Sequence, residues 1–161
     1  MKDEVLATVS ASTPRRWLGV SMLAALGGLL IYTALVRPPA VIGWQIFLLA
    51  IGGISLWGAE RMYRATAARV ELTREVLRVT TGEIIAPLAH ISSVDRSMFV
   101  FKPSNGFILR LNTGAPGRWA PGLWWRFGRR VGIGGVTPGA QSKVMADILA
   151  VMLKERDEGA R

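Results

Sequence analysis

Cysteine is absent from these 161 residues, and histidine occurs once, at position 90. The first absence excludes disulfides, thiolate nucleophiles and cysteine-based zinc or iron–sulfur sites; the second leaves little for a histidine-rich metal centre. Acidic residues are also few, 11 against 20 Lys and Arg, which gives a net charge of +9. Apart from Asp3-Glu4 and Asp157-Glu158 near the ends they are scattered among arginines, so no paired acid–base arrangement is visible. Charged residues make up only 19% of the chain, whereas 50% is hydrophobic and 18 residues are glycine. That balance is foreign to an ordinary soluble domain of this size and points to lipid.

Two stretches carry the hydrophobicity. Trp17 to Val36 and Ala40 to Ala59 each run 20 residues without a charge and each hold nine Leu, Ile, Val or Phe residues. At about 1.5 Å per residue, 20 helical residues cover roughly 30 Å, the thickness of a bilayer's hydrocarbon core. Nine such side chains contribute on the order of −3 to −5 kcal/mol of insertion free energy, with no charge to oppose it. Neither run is amphipathic, so a buried hairpin of a soluble protein is the weaker reading. Arg15-Arg16 resembles a twin-arginine export signal, but no small-residue cleavage site closes the first run and a second follows at once.

Arg37-Pro38-Pro39 joins the runs, too short for anything but antiparallel neighbours. Lys2, Arg15 and Arg16 precede the first run, and Arg61, Arg64, Arg69, Arg74 and Arg78 follow the second, against Arg37 alone in the connector. This asymmetry predicts both termini in the cytoplasm. Trp17, Trp57 and Tyr63 then mark the inner interface, and Tyr32 and Trp44 the outer one. Ala24, Gly28, Gly52 and Gly53 are the small residues expected where the helices pack closely. Gln45, the one amide in either run, is expected to meet water or to hydrogen-bond across the hairpin.

The residues after the hairpin alternate in polarity over short stretches. Strands are expected at 64–72, 76–80 and 83–88, then a hairpin of 97–101 with 107–112, then a strand at 126–133. Thr137 and Pro138 predict a helix start, with Gln141, Val144, Met145, Ile148, Val151 and Met152 on its apolar face.

Within this part, Leu72, Thr73, Leu77 and Gly82, followed by Ile85, Pro87, Leu88, Ile91 and Val94, match an L-T-x-x-x-L-x-x-x-x-G segment and a hydrophobic Pro-Leu-x-x-Ile-x-x-Val stretch. With the preceding hairpin and the closing helix, the chain resembles the bacterial pleckstrin-homology-like membrane proteins from about residue 40 to 156. The resemblance implies a membrane α-helical hairpin joined to a mainly β (α+β) PH-like domain, an antiparallel curled sheet closed by a C-terminal amphipathic helix. It implies a membrane-tethered interaction module rather than a reaction.

Residues 113–136 depart from that pattern, with seven glycines, three tryptophans and four arginines. Arg118, Trp119, Trp124, Trp125, Arg126, Arg129 and Arg130 are the candidate lipid or partner surface, cationic and aromatic as an anionic bilayer interface requires. The competing reading puts one or two tryptophans in the core, glycines in turns and arginines along a guarded strand edge. Gly132, Gly134 and Gly135 do not complete a dinucleotide-binding pattern, because position 137 is threonine. His90, Ser92, Ser93 and Asp95 are too close in sequence on an extended segment to converge as a catalytic triad.

The expected organisation is a cytoplasmic N-terminal tail (1–16), a transmembrane hairpin (17–59, spans 17–36 and 40–59) and a cytoplasmic PH-like domain (60–161). The expected function is non-enzymatic: presenting a basic domain at the cytoplasmic leaflet of a bacterial inner membrane for partner docking or assembly of a membrane complex. Anionic lipid headgroups and a membrane-protein partner or a second copy are the expected partners. No cofactor, metal or catalytic residue is assigned, and without a recognised motif nucleic acid is not an expected partner. The alternative, a small membrane enzyme or an accessory subunit of a membrane enzyme complex, needs a convergent polar pocket.

Overall fold

A computed structural model of the chain describes residues 4–95 and 103–159. Strand β1 (Ala7–Ser10) comes first, then helices α1 (Thr13–Val36) and α2 (Ile42–Ala65). Strands β2 (Arg69–Leu72), β3 (Val76–Val79), β4 (Ile84–Pro87), β5 (Ile91–Asp95), β6 (Phe107–Ala120) and β7 (Trp124–Ile133) follow, and α3 (Gly139–Gly159) ends the order. Two antiparallel sheets form, β1-β2-β3-β4 and β5-β6-β7, so the class is α+β. The expected strand at 97–101 lies outside the described residues.

Both apolar helices are long enough to cross a bilayer, and fewer than one in five residues of their most apolar stretches is buried by the rest of the protein. The core helix of a soluble protein would be mostly covered. Pro14 in its first turn starts α1, where the missing N–H breaks no hydrogen bond. The seam between the helices follows a 3.5-residue spacing: Leu23, Gly27, Ile31 and Ala34 against Leu48, Gly52, Ser55, Ala59 and Met62, all buried or half-buried. Of the four small residues expected there, only Gly52 is at the seam. A Cβ on Gly27 would lie 2.8 Å from the Gly52 carbonyl oxygen, whereas one on Gly28 or Gly53 would meet nothing within 4 Å, and Ala24 is exposed. Adjacent helical residues stand about 100° apart, so one member of each Gly-Gly pair faces inward and the other outward. The Gln45 side-chain amide donates to the Ala34 carbonyl at 3.0 Å, across the hairpin.

The N-terminal segment is more than a tail. β1 pairs antiparallel with β2, Ala7 opposite Leu72 and Ser10 opposite Arg69, so the whole helical hairpin is inserted between two neighbouring strands. Sequence alone hides this, because four residues have no strand signature until their partner is known. Likewise α2 runs on through Arg64 and Ala65, residues expected to begin a strand, and β2 starts only at Arg69.

One core joins both sheets and α3. Val9, Val70, Leu72, Leu77, Ile85, Ile91, Phe107, Leu109, Val131, Ile133, Met145 and Leu149 are among its members. Helix α3 packs on β1 and β5, edge strands of different sheets, and covers the seam between them. Its buried side is Ser142, Met145, Ala146, Leu149 and Leu153, while Val144 and Val151, expected inside, are more than half exposed. Small Ser142 and Ala146 let the helix approach the strand edges, and this rotates the stripe away from the two valines. Arg156 then donates to the carbonyls of Leu88 (3.3 Å) and Ile91 (2.8 Å), fixing the 3-10 turn that carries the chain from one sheet to the other.

Candidate lipid and partner interface

The β6–β7 hairpin is the longest strand pair and carries all seven candidate surface residues. Its register slips between Arg110 and Ala115 and again before Arg118. Each slip puts extra residues on β6 and bends the pair. The tip at Pro121-Gly122 is brought back against the residues after β7: Gly134 N–H donates to the Leu123 carbonyl at 2.9 Å and Val136 N–H to the Gly122 carbonyl at 3.0 Å. Gly122 and Gly135 hold positive φ of 80° and 138°. A Cβ on Gly135 would lie 2.7 Å from the Gly122 carbonyl group. The glycine-rich segment before α3 is therefore a crossing of two backbones, which only glycine permits.

The seven residues divide by role. Trp124 is 3% exposed and belongs to the core. Trp125 is half-buried, its indole over Gly132, where a Cβ would lie within 2.3 Å of the ring, and 5.7 Å from Phe127. Arg126 donates from Nη1 to the Ile85 carbonyl at 2.6 Å and from Nε to the Pro116 carbonyl at 3.0 Å. It thereby ties the free edge of β4 to the hairpin, closing the seam opposite α3. Arg118 Nε stands 3.4 Å from Glu83. Trp119, Arg129 and Arg130 are exposed. Trp124, Trp125 and Arg126 are thus held by the fold, whereas Trp119, Arg129 and Arg130 remain accessible.

Trp119 brings the exposed part of the hairpin beside α2. Its ring is 6.4 Å from that of Trp57 on α2, so the hairpin reaches the level at which the charge-free run of α2 ends. Next along α2, Arg61 sits 5.6 Å from the Trp57 ring, and Arg64 pairs with Glu60. Together with Thr81, Glu83, Arg118, Pro121 and Leu123 these two arginines line a groove of about 310 Å³. Sequence reasoning assigned Arg61 and Arg64 only to topology. The signal was their spacing, since positions 57, 61 and 64 share one helix face.

Other basic residues at this end act as struts. Arg15 donates to the Thr137 carbonyl at 3.1 Å, and Arg16 to the Tyr63 carbonyl at 3.0 Å while its guanidinium lies 4.6 Å from the Tyr63 ring. Ser12 N–H donates to Val136 at 2.7 Å, and Ser10 N–H to the Gln141 side chain at 2.9 Å. The α1 side of the helical hairpin is thus bonded to the segment before α3 and to α3 itself.

At the opposite end a wider depression of about 670 Å³ is lined by Leu6, Leu88, Ala89 and Met152 with Arg74, Glu75, Glu155 and Arg156. His90 is exposed at the end of the 3-10 turn, Ser92 donates to the Arg110 carbonyl, and Asp95 lies 3.7 Å from Arg110. No group of three His, Cys, Asp or Glu that could hold a metal ion occurs among the described residues. Comparison with protein families, with curated proteins and with solved structures finds no match for this chain.

Proposed function

We propose that this chain is a bacterial inner-membrane docking protein, non-enzymatic, whose helical hairpin holds a pleckstrin-homology-like domain at the cytoplasmic leaflet for assembly with a partner. The observation that carries the reading is the insertion of α1 and α2 between β1 and β2. A domain on a flexible linker would sample all orientations, whereas this one is fixed to its anchor through two hydrogen-bonded strands. Four strands plus three, closed by a C-terminal helix, fit the PH-like assignment. Confinement to the membrane raises the effective concentration toward other membrane-bound proteins, so weak contacts suffice for assembly.

With the Trp57–Trp119 end at the bilayer, the depression around Leu6, Leu88 and Met152 faces the cytoplasm. It combines apolar side chains with charges of both signs, the composition of a protein contact rather than a lipid one. Affinity purification of the full chain in mild detergent is expected to bring down a partner that is lost on Arg74→Glu with Glu155→Arg, with the melting temperature unchanged. Recovery of the chain alone, or of a partner indifferent to this charge reversal, contradicts the reading.

A further inference from the structure

The groove between the inner end of α2 and the β6–β7 tip has the features of a discrete ligand site rather than a diffuse basic surface. At about 310 Å³ it falls at the lower end of small-ligand sites, roughly 300–1,000 Å³. Three guanidinium groups line it, two from one face of α2 and one from β6. Arg61 lies 5.6 Å from the Trp57 ring, a cation–π contact that positions it without consuming its N–H donors. Arg118 stands with one of its five donors 3.4 Å from Glu83, in a pair whose partners are 64% and 40% exposed. Exposed pairs of this kind are worth little and exchange readily for a better acceptor. A phosphate, which accepts two parallel bonds from one guanidinium, is such an acceptor.

The rim fixes the source of the phosphate. Trp57 and Trp119, both about half exposed, stand together at the point where charge first appears on α2. Interfacial tryptophans occupy the headgroup level of a bilayer. One turn further into the apolar run, Gly53 shares the face of Trp57 and meets nothing within 4 Å, so the helix surface above the groove is open to an acyl chain. A soluble phosphate would use the arginines and leave both tryptophans and this apolar surface unused.

We infer that this groove binds the phosphate of one anionic inner-leaflet phospholipid, held by Arg61, Arg64 and Arg118 beneath Trp57 and Trp119. The inference rests on the membrane reading above and names a lipid site within it. Its bound lipid would lock the β6–β7 tip to α2, coupling the sheet domain's position to the local content of anionic lipid.

Native mass spectrometry of the full chain released from detergent, with phosphatidylglycerol or phosphatidylcholine added, tests the site. One phosphatidylglycerol should be retained in preference to phosphatidylcholine, with retention weakened about fivefold for each of Arg61→Gln and Arg118→Gln. Arg37→Gln, at the far end of the hairpin, should leave it unchanged, and Glu83→Gln, which removes a competing acceptor, should strengthen it. Inorganic phosphate should not displace the lipid. Equal retention of the two lipids, equal loss in Arg37→Gln, no loss in the groove variants, or displacement by inorganic phosphate would overturn the site. Failure of the membrane reading is seen separately, as a chain that does not float with lipid vesicles; a chain that floats but shows no selective adduct sinks the site alone.

Discussion

Two hairpins meet where Trp57 touches Trp119, and glycine does opposite work in them. In the helical hairpin Gly27 and Gly52 have ordinary helical backbone and matter because they are small: a side chain on either would strike the other helix. In the β6–β7 hairpin Gly122 and Gly128 matter because of conformation, with φ of 80° and 57°. Without a hydrophobic driving force between them, helices in lipid depend on close van der Waals approach. A long hairpin that must return its tip to its own base depends instead on left-handed residues at the bends. The same amino acid, abundant in both segments, encodes proximity at Gly27 and Gly52 and curvature at Gly122 and Gly128.

The contrast is broken most severely at the helical seam. Gly27→Leu places a branched side chain where a Cβ already lies 2.8 Å from the Gly52 carbonyl oxygen and from Leu56, and should destabilise the detergent-solubilised chain by about 3 kcal/mol or more. Gly28→Leu, on the neighbouring residue but facing outward, should stay within about 0.5 kcal/mol of the parent. Equal effects in the two variants would refute the seam. In the β hairpin, Gly122→Ala combines a positive φ with contacts of 3.1–3.2 Å to Thr66, Met62 and Val136, and about 2 kcal/mol is expected in the same thermal melts.

Arginine gives the next smaller comparison. Arg126→Gln removes donors from the Ile85 and Pro116 carbonyls and should cost about 1–2 kcal/mol, read as the urea midpoint of the solubilised chain. Arg129→Gln, fully on the surface, should leave that midpoint in place. The smallest effect belongs to Gln45→Leu, which loses one bond across the helices and should cost roughly 0.6 kcal/mol, because an unfolded state within the membrane also finds partners.

The helices, the three strands from β2 to β4 and the closing helix were legible because hydrophobic period and turn residues are local signals. Rotation about an axis was not. Gly27 and Gly28 look alike in sequence, as do Gly52 and Gly53, and only the facing helix decides between them. Val144 and Val151 were placed inside α3 by apolarity, yet close approach to two strand edges selects Ser142 and Ala146. The candidate surface was legible as a composition and illegible as a division of labour: nothing local separates Arg126, bonded to β4, from Arg129, which is exposed. Strand β1 was hidden for a related reason, since it pairs with residues 59 to 65 positions away across the whole anchor.

Two apolar helices crossing the bilayer with the sheet domain inside are the central proposal. Because the chain has no cysteine, Pro38→Cys and Arg74→Cys each carry one thiol, the first between the helices and the second at the β2–β3 turn. In intact cells a membrane-impermeant maleimide should label position 38 and spare position 74 until the membrane is opened. Labelling of position 74 from outside, or of position 38 only after permeabilisation, would contradict it.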